Sequence, residues 1–283
     1  MIKKILCAVS VVGISHLAVA GDVPTPKEVD TKEMAKSDEE GFVPIFDGKS
    51  LKGWTSARSK GDADWGPFSV NEKEKAIHVY AGQEEGSEQK SDCLNTDVDF
   101  SHFILKLEYK WGGNRHAPRA DWDRDAGLLF HVHGNLTRVW PFSMEMQIGE
   151  TPGPYIAEKR SRRFHTGDLF VLGKDLRAST TRKGRVYEKG GKMIEGRSIP
   201  TELGKEKPMG EWNEMEIRVE GAKKATFIFN GEVVHEIFKL KQKVDGKKVP
   251  LEKGRIGLQA EWAEILYRNI RIKELPVPAE EKK

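Results

Sequence analysis

Cysteine is almost absent from this chain of 283 residues, which contains only Cys7 and Cys93. Cys7 lies in an N-terminal apolar run, too early in the chain to be a convincing lipid-attachment site. If that run is removed, Cys93 alone remains, and one cysteine excludes an internal disulfide. A strong excess of one charge is also missing, with 47 basic and 44 acidic residues. The balance indicates neither a nucleic-acid nor an acidic-lipid partner.

Long hydrophobic runs are also lacking, since the longest extends from Ile5 to Val19 and is too short to span a bilayer. Two lysines precede it and an Ala-x-Ala pattern follows, as expected for signal peptidase. We therefore predict a signal peptide over residues 1–20, cleavage before Gly21, and a periplasmic or secreted bacterial protein without a membrane span. Removal of the two lysines lowers the formal net charge from +3 to +1.

The remaining chain is long enough for one domain with a sizeable core. Residues 21–40 are charged and predicted to be a flexible N-terminal segment, residues 41–275 form the domain, and residues 276–283 form a tail. Residues 173–210 are rich in Lys, Arg and Gly. They are interpreted as solvated surface or, alternatively, as a long loop near a site.

Alternating apolar and polar residues predict β-strands throughout the domain, whereas no comparable amphipathic helix follows residue 41. The clearest strand is Phe103–Trp111, and Asn230-Gly231 predicts a tight hairpin between two later strands. Further strands are predicted at 76–80, 127–133, 143–148, 169–172, 215–219, 226–229, 232–238, 255–262 and 265–275. Many short strands separated by turns predict an all-β sandwich or jelly roll of two antiparallel sheets.

Polar side chains share one face of two consecutive predicted strands. In 127–133, His131 and His133 alternate with apolar residues, and in 143–148, Glu145 and Gln147 lie opposite two methionines. If the strands pair, all four side chains project from one face and line a cleft. The alternative is an ordinary solvated sheet exterior.

Other residues could extend this polar face. Gln259 and Glu261 alternate with apolar residues in a later strand, and Asp168 follows Gly167 in a turn, where it is either a turn former or a site residue. Trp140 could stack on a sugar ring, as could Trp65 and Trp262, although each could equally belong to the core. We predict Gln147, Asp168, Gln259, Glu261 and Trp140 to bind substrate.

The two histidines could also bind a metal ion. His131, His133 and Glu145 would match a divalent-metal site of two histidines and one carboxylate, with the metal unknown. Asp121, Asp123 and Asp125 resemble a calcium loop, but its required glycine falls one place late, so it is not an EF-hand. The chain lacks a phosphate loop, a dinucleotide fingerprint and a Gly-x-Ser-x-Gly motif. No nucleotide cofactor is expected.

An ordered series of motifs resembles the 3-keto-disaccharide hydrolase family. The series begins with a sequence motif that contains two Phe residues and ends in Gly-Trp. It closes with a terminal strand, so that it covers about Gly41 to Leu275. The motifs are Gly41–Trp54, Gly127–His131, Met144–Ile148, Gly167–Phe170, Gly210–Asn213, Asn230-Gly231, Gly254–Gln259 and Tyr267–Leu275. The segment 151–165 departs from the family pattern.

The resemblance implies a concanavalin A-like jelly roll and activity as a 3-keto-glucoside-1,2-lyase or 3-keto-2-hydroxy-glucal hydratase. A ketone at sugar carbon 3 acidifies the proton on carbon 2, so a base and an enolate stabiliser are required. Glu145, His131 and His133 are the predicted catalytic residues, with individual roles left open.

Two other functions remain open from the sequence. A lectin-like module would bind sugar without chemistry, because fold does not fix function. An ordinary glycoside hydrolase would need two carboxylates, such as Glu145 with Asp168 or Glu261.

Overall fold

Antiparallel strands form the whole of the regular structure in the computed structural model, which describes residues 41–59, 65–150, 165–173, 175–182, 185–188 and 206–278. Within these ranges there is no α-helix, and hence none long and apolar enough to cross a membrane. The predicted signal peptide and the segment 21–40 lie outside the described residues.

The larger of two sheets has 11 strands. Nine follow one another in hydrogen-bonded order, and β1 and β15 pair with β17 and β14 off this path. In sheet order they are β11 (Arg185–Glu188), β10 (Arg177–Arg182), β14 (Glu232–Val244), β13 (Lys224–Phe229), β12 (Asn213–Glu220), β6 (His102–Arg115), β17 (Ala263–Glu274), β4 (Ala76–Val79) and β3 (Phe68–Asn71), with β1 (Val43–Pro44) and β15 (Lys247–Pro250) beside them.

The smaller sheet has six strands and carries the polar residues singled out in the sequence. Its order is β2 (Trp54–Ser56), β5 (Asp92–Thr96), β16 (Arg255–Ala260), β7 (Asp125–His133), β8 (Phe142–Gly149) and β9 (Leu169–Leu172). Antiparallel pairing places Glu145 opposite Leu129, and Gln147 opposite Gly127.

One apolar core fills the space between the sheets. Leu105 and Leu107 of β6 belong to the same buried cluster as Leu128 of β7 and Met144 and Met146 of β8. Burying each side chain of this size contributes about 1.5–3 kcal/mol. Since successive strand residues alternate between faces, committing Met144 and Met146 to the core turns Glu145 and Gln147 to the other face of the small sheet.

The predicted all-β sandwich of two antiparallel sheets is confirmed. The Asn230-Gly231 hairpin is also present, with both residues at positive φ (47° and 83°), as its tight turn requires. In the segment 173–210, β10 and β11 form an antiparallel strand pair. Residues 174, 183–184 and 189–205 lie outside the described residues.

Candidate functional site

The site lies on the face of the small sheet that points away from the core. Gln259 of β16 is aligned with Cys93 of β5, and Gly257 lies opposite both Asn95 and Leu129. Through β7 this row of positions continues to Glu145 and Gln147 on β8. Sequence alternation therefore brings Glu145, Gln147 and Gln259 to one face, as predicted.

Glu145 and Gln259 meet over Gly127, which lies between them on β7. A Cβ atom at Gly127 would collide with Glu145 Oε1 and with Gln259 Oε1. The missing side chain thus gives both neighbours room to lie across the strand. Glu145 is 3 % exposed and Gln259 is 1 % exposed, so both polar groups are withdrawn from bulk water.

The Glu145 carboxyl group forms no hydrogen bond or ion pair with any residue that the structure describes. Burial raises its pKa well above the usual value, and the negative charges of Glu261 and Asp125 raise it further. A carboxyl group in such surroundings binds its proton more tightly, and it is a stronger base once ionised. This combination is typical of a residue that transfers protons.

A carboxylate pair bridged by arginine lies beside Glu145. Arg119 Nη1 is 3.1 Å from both carboxylate oxygens of Asp125 and 3.0 Å from Glu261 Oε2. Burial and the charge of Glu261 raise the pKa of Asp125 well above its usual value, although Arg119 opposes the shift. Arg119 thereby ties the loop before β7 to the end of β16.

Aromatic rings surround this ion pair at the rim. The Arg119 guanidinium lies 4.4 Å from the ring centre of Trp262 and 5.0 Å from that of Trp122. Trp140 donates its indole N–H to Glu261 Oε1, and its ring lies 6.2 Å from that of Trp262. Trp140 is 37 % exposed, so it provides a partly open aromatic surface above the carboxylates.

The predicted shared face is wrong for the two histidines. His131 adopts φ 51°, and the register of β7 with both neighbouring strands shifts around it, so the alternation is interrupted by a bulge. Its ring lies 6.4 Å from Phe103, and its Nε2 is 3.1 Å from the carbonyl oxygen of Gly221; both residues belong to the large-sheet side. Burial lowers the pKa of His131 to about 4.

His133 is likewise separated from Glu145. Its Nδ1 donates to the carbonyl oxygen of His131 at 2.8 Å, and its ring lies 6.1 Å from Phe142, which packs against the core. The proposed metal ligands His131, His133 and Glu145 therefore do not converge. In the ranges that the structure describes, no group of three His, Cys, Asp or Glu side chains could hold a metal ion.

Gln147 and Asp168 have structural contacts beside the site. Gln147 donates its amide hydrogens to the carbonyl oxygens of Ala126 and Ile148 at 2.9 and 3.1 Å. Asp168 is fully buried, and its carboxylate accepts the backbone N–H of His165 at 3.2 Å, while its carbonyl accepts that of Gln147. Both residues shape the edge of the polar face at β8.

The same sheet face becomes apolar toward β5 and β2. Cys93, Leu129 and Val132 are buried together there, with Leu136 packed against them. Burial raises the pKa of the Cys93 thiol well above its usual value, which disfavours the reactive thiolate form. Beyond it lies a groove of about 890 Å³ whose lining includes Trp65.

Two site residues, Arg119 and Asp125, were not singled out as such by the sequence, and Trp262 was only one of three tryptophans considered for stacking on a sugar. Arg119 lies in a loop without periodicity, and Asp125 was read only as part of the acidic loop. Trp262 was placed in alternation with core residues, but β16 ends at Ala260 and Trp262 has φ 63°, which turns its ring to the rim. The acidic loop was the one available signal, since it immediately precedes β7.

Comparison with known proteins identifies a family that matches the chain. Residues 41–273 match the model of the 3-keto-alpha-glucoside-1,2-lyase-like domain. No curated protein matches the chain significantly.

Two solved structures from Parabacteroides distasonis, each described as a putative glycosyl hydrolase, are similar in fold. One has a TM-score of 0.54 and 17 % identity, over 88 % of this chain and 98 % of its own. The other has a TM-score of 0.49 and 20 % identity, over 83 % and 99 %. Because the family model spans most of the sequence, the chain belongs to the 3-keto-alpha-glucoside-1,2-lyase-like domain family.

Proposed function

We propose that the protein cleaves 3-keto-glucosides by elimination across carbons 1 and 2, and hydrates the resulting 3-keto-glucal, with Glu145 as the proton-transfer residue. Family membership supports a carbohydrate-active enzyme. The observation that carries the role of Glu145 is its buried carboxyl group, which has no bonding partner among the described residues and lies next to two further carboxylates.

The proposed reaction is an elimination followed by the addition of water. The base takes the proton from carbon 2, and the electrons of that bond move toward the ketone oxygen to form an enediolate. Collapse of the enediolate restores the ketone, forms the double bond between carbons 1 and 2, and expels the aglycone, whose oxygen takes up a proton. Water then adds its hydroxyl to carbon 1 and a proton to carbon 2.

Glu145 suits both proton transfers. Ionised, it accepts the carbon 2 proton as a base strengthened by burial, and the acid so formed can protonate the departing oxygen. Trp140 would stack on the sugar, and Glu261, oriented by Arg119, would accept hydrogen bonds from its hydroxyl groups. We do not assign chemistry to His131 or His133, because neither faces Glu145.

The decisive experiment compares a glucoside with its 3-keto derivative in deuterated water. We expect aglycone release from the keto sugar alone, with deuterium appearing at carbon 2. Glu145→Gln should lower this rate by about a hundred- to ten-thousand-fold, the usual effect of removing a general base. Glu214→Gln, on the outer face of the large sheet, is the matched control and should retain the wild-type rate.

The other outcomes identify the alternatives. Binding of sugars without turnover would indicate a lectin-like module. Cleavage of the unmodified glucoside without deuterium at carbon 2 would indicate an ordinary two-carboxylate hydrolase using Glu145 with Glu261 or Asp168. Full activity of Glu145→Gln on the keto sugar would contradict the role given to Glu145.

A further inference from the structure

We propose that the side-chain amide of Gln259 recognises the adjacent hydroxyl and ketone groups of the substrate and stabilises the enediolate. The inference deepens the proposed function and rests on it. It assigns the second element that the reaction needs, a hydrogen-bond donor at the oxygen on which negative charge develops.

The amide of Gln259 is buried and unpaired. Neither its Oε1 nor its Nε2 has a hydrogen-bond partner in the part of the chain that the structure describes, although the residue is only 1 % exposed. Buried amide groups normally form hydrogen bonds, because a buried amide without a hydrogen-bond partner lowers the stability of the fold. An amide kept in this condition beside a proton-transfer residue points to a ligand as its partner.

Gln147 provides the contrast on the same sheet face. Its Nε2 bonds two backbone carbonyl oxygens, those of Ala126 and Ile148, and it therefore fastens β8 to β7. Gln259 has the same side chain and similar burial, and its backbone carbonyl is engaged by Tyr267, but its amide is not. The difference between the two residues lies in bonding and not in position along the polar face.

The hydrogen-bonding pattern of an amide fits an α-hydroxy ketone. The N–H group can donate to the ketone oxygen on carbon 3, and the carbonyl oxygen can accept from the hydroxyl group on carbon 2. When Glu145 removes the carbon 2 proton, charge grows on the ketone oxygen and the N–H bond to it strengthens. Because Glu145 and Gln259 meet over Gly127, one sugar carbon can be within reach of both.

The test uses Gln259→Met, which keeps the length of the side chain but removes its polar atoms, with Gln147→Met as the comparison. Removal of one donor to a developing oxyanion typically lowers the rate by about 10²–10³-fold. We expect that loss in carbon 2 deuterium exchange and in aglycone release for Gln259→Met. Its melting temperature should be equal to or above that of the wild type, because an unpaired polar group is lost, whereas Gln147→Met should melt at a lower temperature.

Each other result overturns the inference or separates it from the proposed function. Wild-type exchange in Gln259→Met, or a melting temperature lowered as far as in Gln147→Met, would overturn it. If the wild type lacks turnover, the proposed function fails, and thermal-shift titration with the 3-keto-glucoside decides the role of Gln259. Loss of that binding in Gln259→Met alone would support recognition; equal binding, or no binding by the wild type, would overturn it.

Discussion

At the scale of single residues, the buried carboxyl group of Glu145 makes the stability of the fold depend on pH. Burial, then Glu261 and Asp125, raise its pKa in the folded protein. The folded state therefore binds this proton more tightly than the unfolded state does. The contribution of the group to stability is largest at low pH and is lost as the pH rises above the ordinary value of 4.5 toward the folded pKa.

We expect Glu145→Gln to gain stability relative to the wild type as the pH rises. The variant cannot ionise at this position, so it escapes the cost of a buried charge. Urea unfolding at several pH values from 4 to 8 measures the difference, with Glu214→Gln as the baseline. A difference between Glu145→Gln and wild type that does not change with pH would contradict the prediction.

Residue-level prediction succeeded where strand alternation governs direction. Met144 and Met146 identify the buried face of β8, so the orientation of Glu145 follows from the sequence alone. Arg119 could not be found in this way, because its loop has no periodicity and its partners lie at the start of β7 (Asp125) and just after β16 (Glu261). The unpaired amide of Gln259 is also invisible in sequence, since it depends on what surrounds it in three dimensions.

At the scale of elements, the bulge in β7 determines on which side of the small sheet the side chains of His131 and His133 lie. A strict alternation would place His131 beside Leu129, but the left-handed conformation at His131 turns its ring between the sheets. A bulge inserts an extra residue and reverses the alternation after it. Nothing in the composition of 127–133 distinguishes such a strand from a regular one.

His131 should make the bulge sensitive to acid. Burial lowers its pKa from 6.5 to about 4, so its contribution to stability is present above pH 6.5 and is lost as the pH falls through about 4. The maximum effect is about 3 kcal/mol, since one pKa unit corresponds to about 1.4 kcal/mol. His131→Asn suits the positive φ and removes the titration.

The measurement is the unfolding free energy of His131→Asn and wild type between pH 7 and 4. We expect the wild type to lose stability relative to the variant over this range. Turnover at pH 7 should persist in the folded variant, because His131 faces away from Glu145. If the two curves of unfolding free energy against pH are parallel, protonation of His131 is not coupled to unfolding and the prediction is wrong.

At the scale of the whole molecule, export remains a prediction from the sequence. The lysine pair, the short apolar run and the Ala-x-Ala pattern precede the described residues, and they predict cleavage before Gly21. Mass spectrometry of the protein from fractionated native cells should find Gly21 as the first residue, outside the cytoplasm. A chain that retains Met1 would contradict the prediction.

The sandwich itself was predictable because the alternation of apolar and polar residues that favours strands recurs along the chain. Long strands such as β6 and β12 repeat the same two-residue pattern, and turns such as Asn230-Gly231 fix which strands are neighbours. Short strands such as β2 and β5 were missed, since three to five residues give too little alternation to recognise. The order of strands within the sheets depends on long-range pairing that no local pattern contains.

The burial of Glu145 and Gln259 has a kinetic consequence. With 3 % and 1 % of their surfaces exposed, a sugar can reach them only after the groups that cover them have moved aside. Binding then includes an opening step in addition to diffusional encounter, and the observed association rate should level off at high sugar concentration instead of rising in proportion to it.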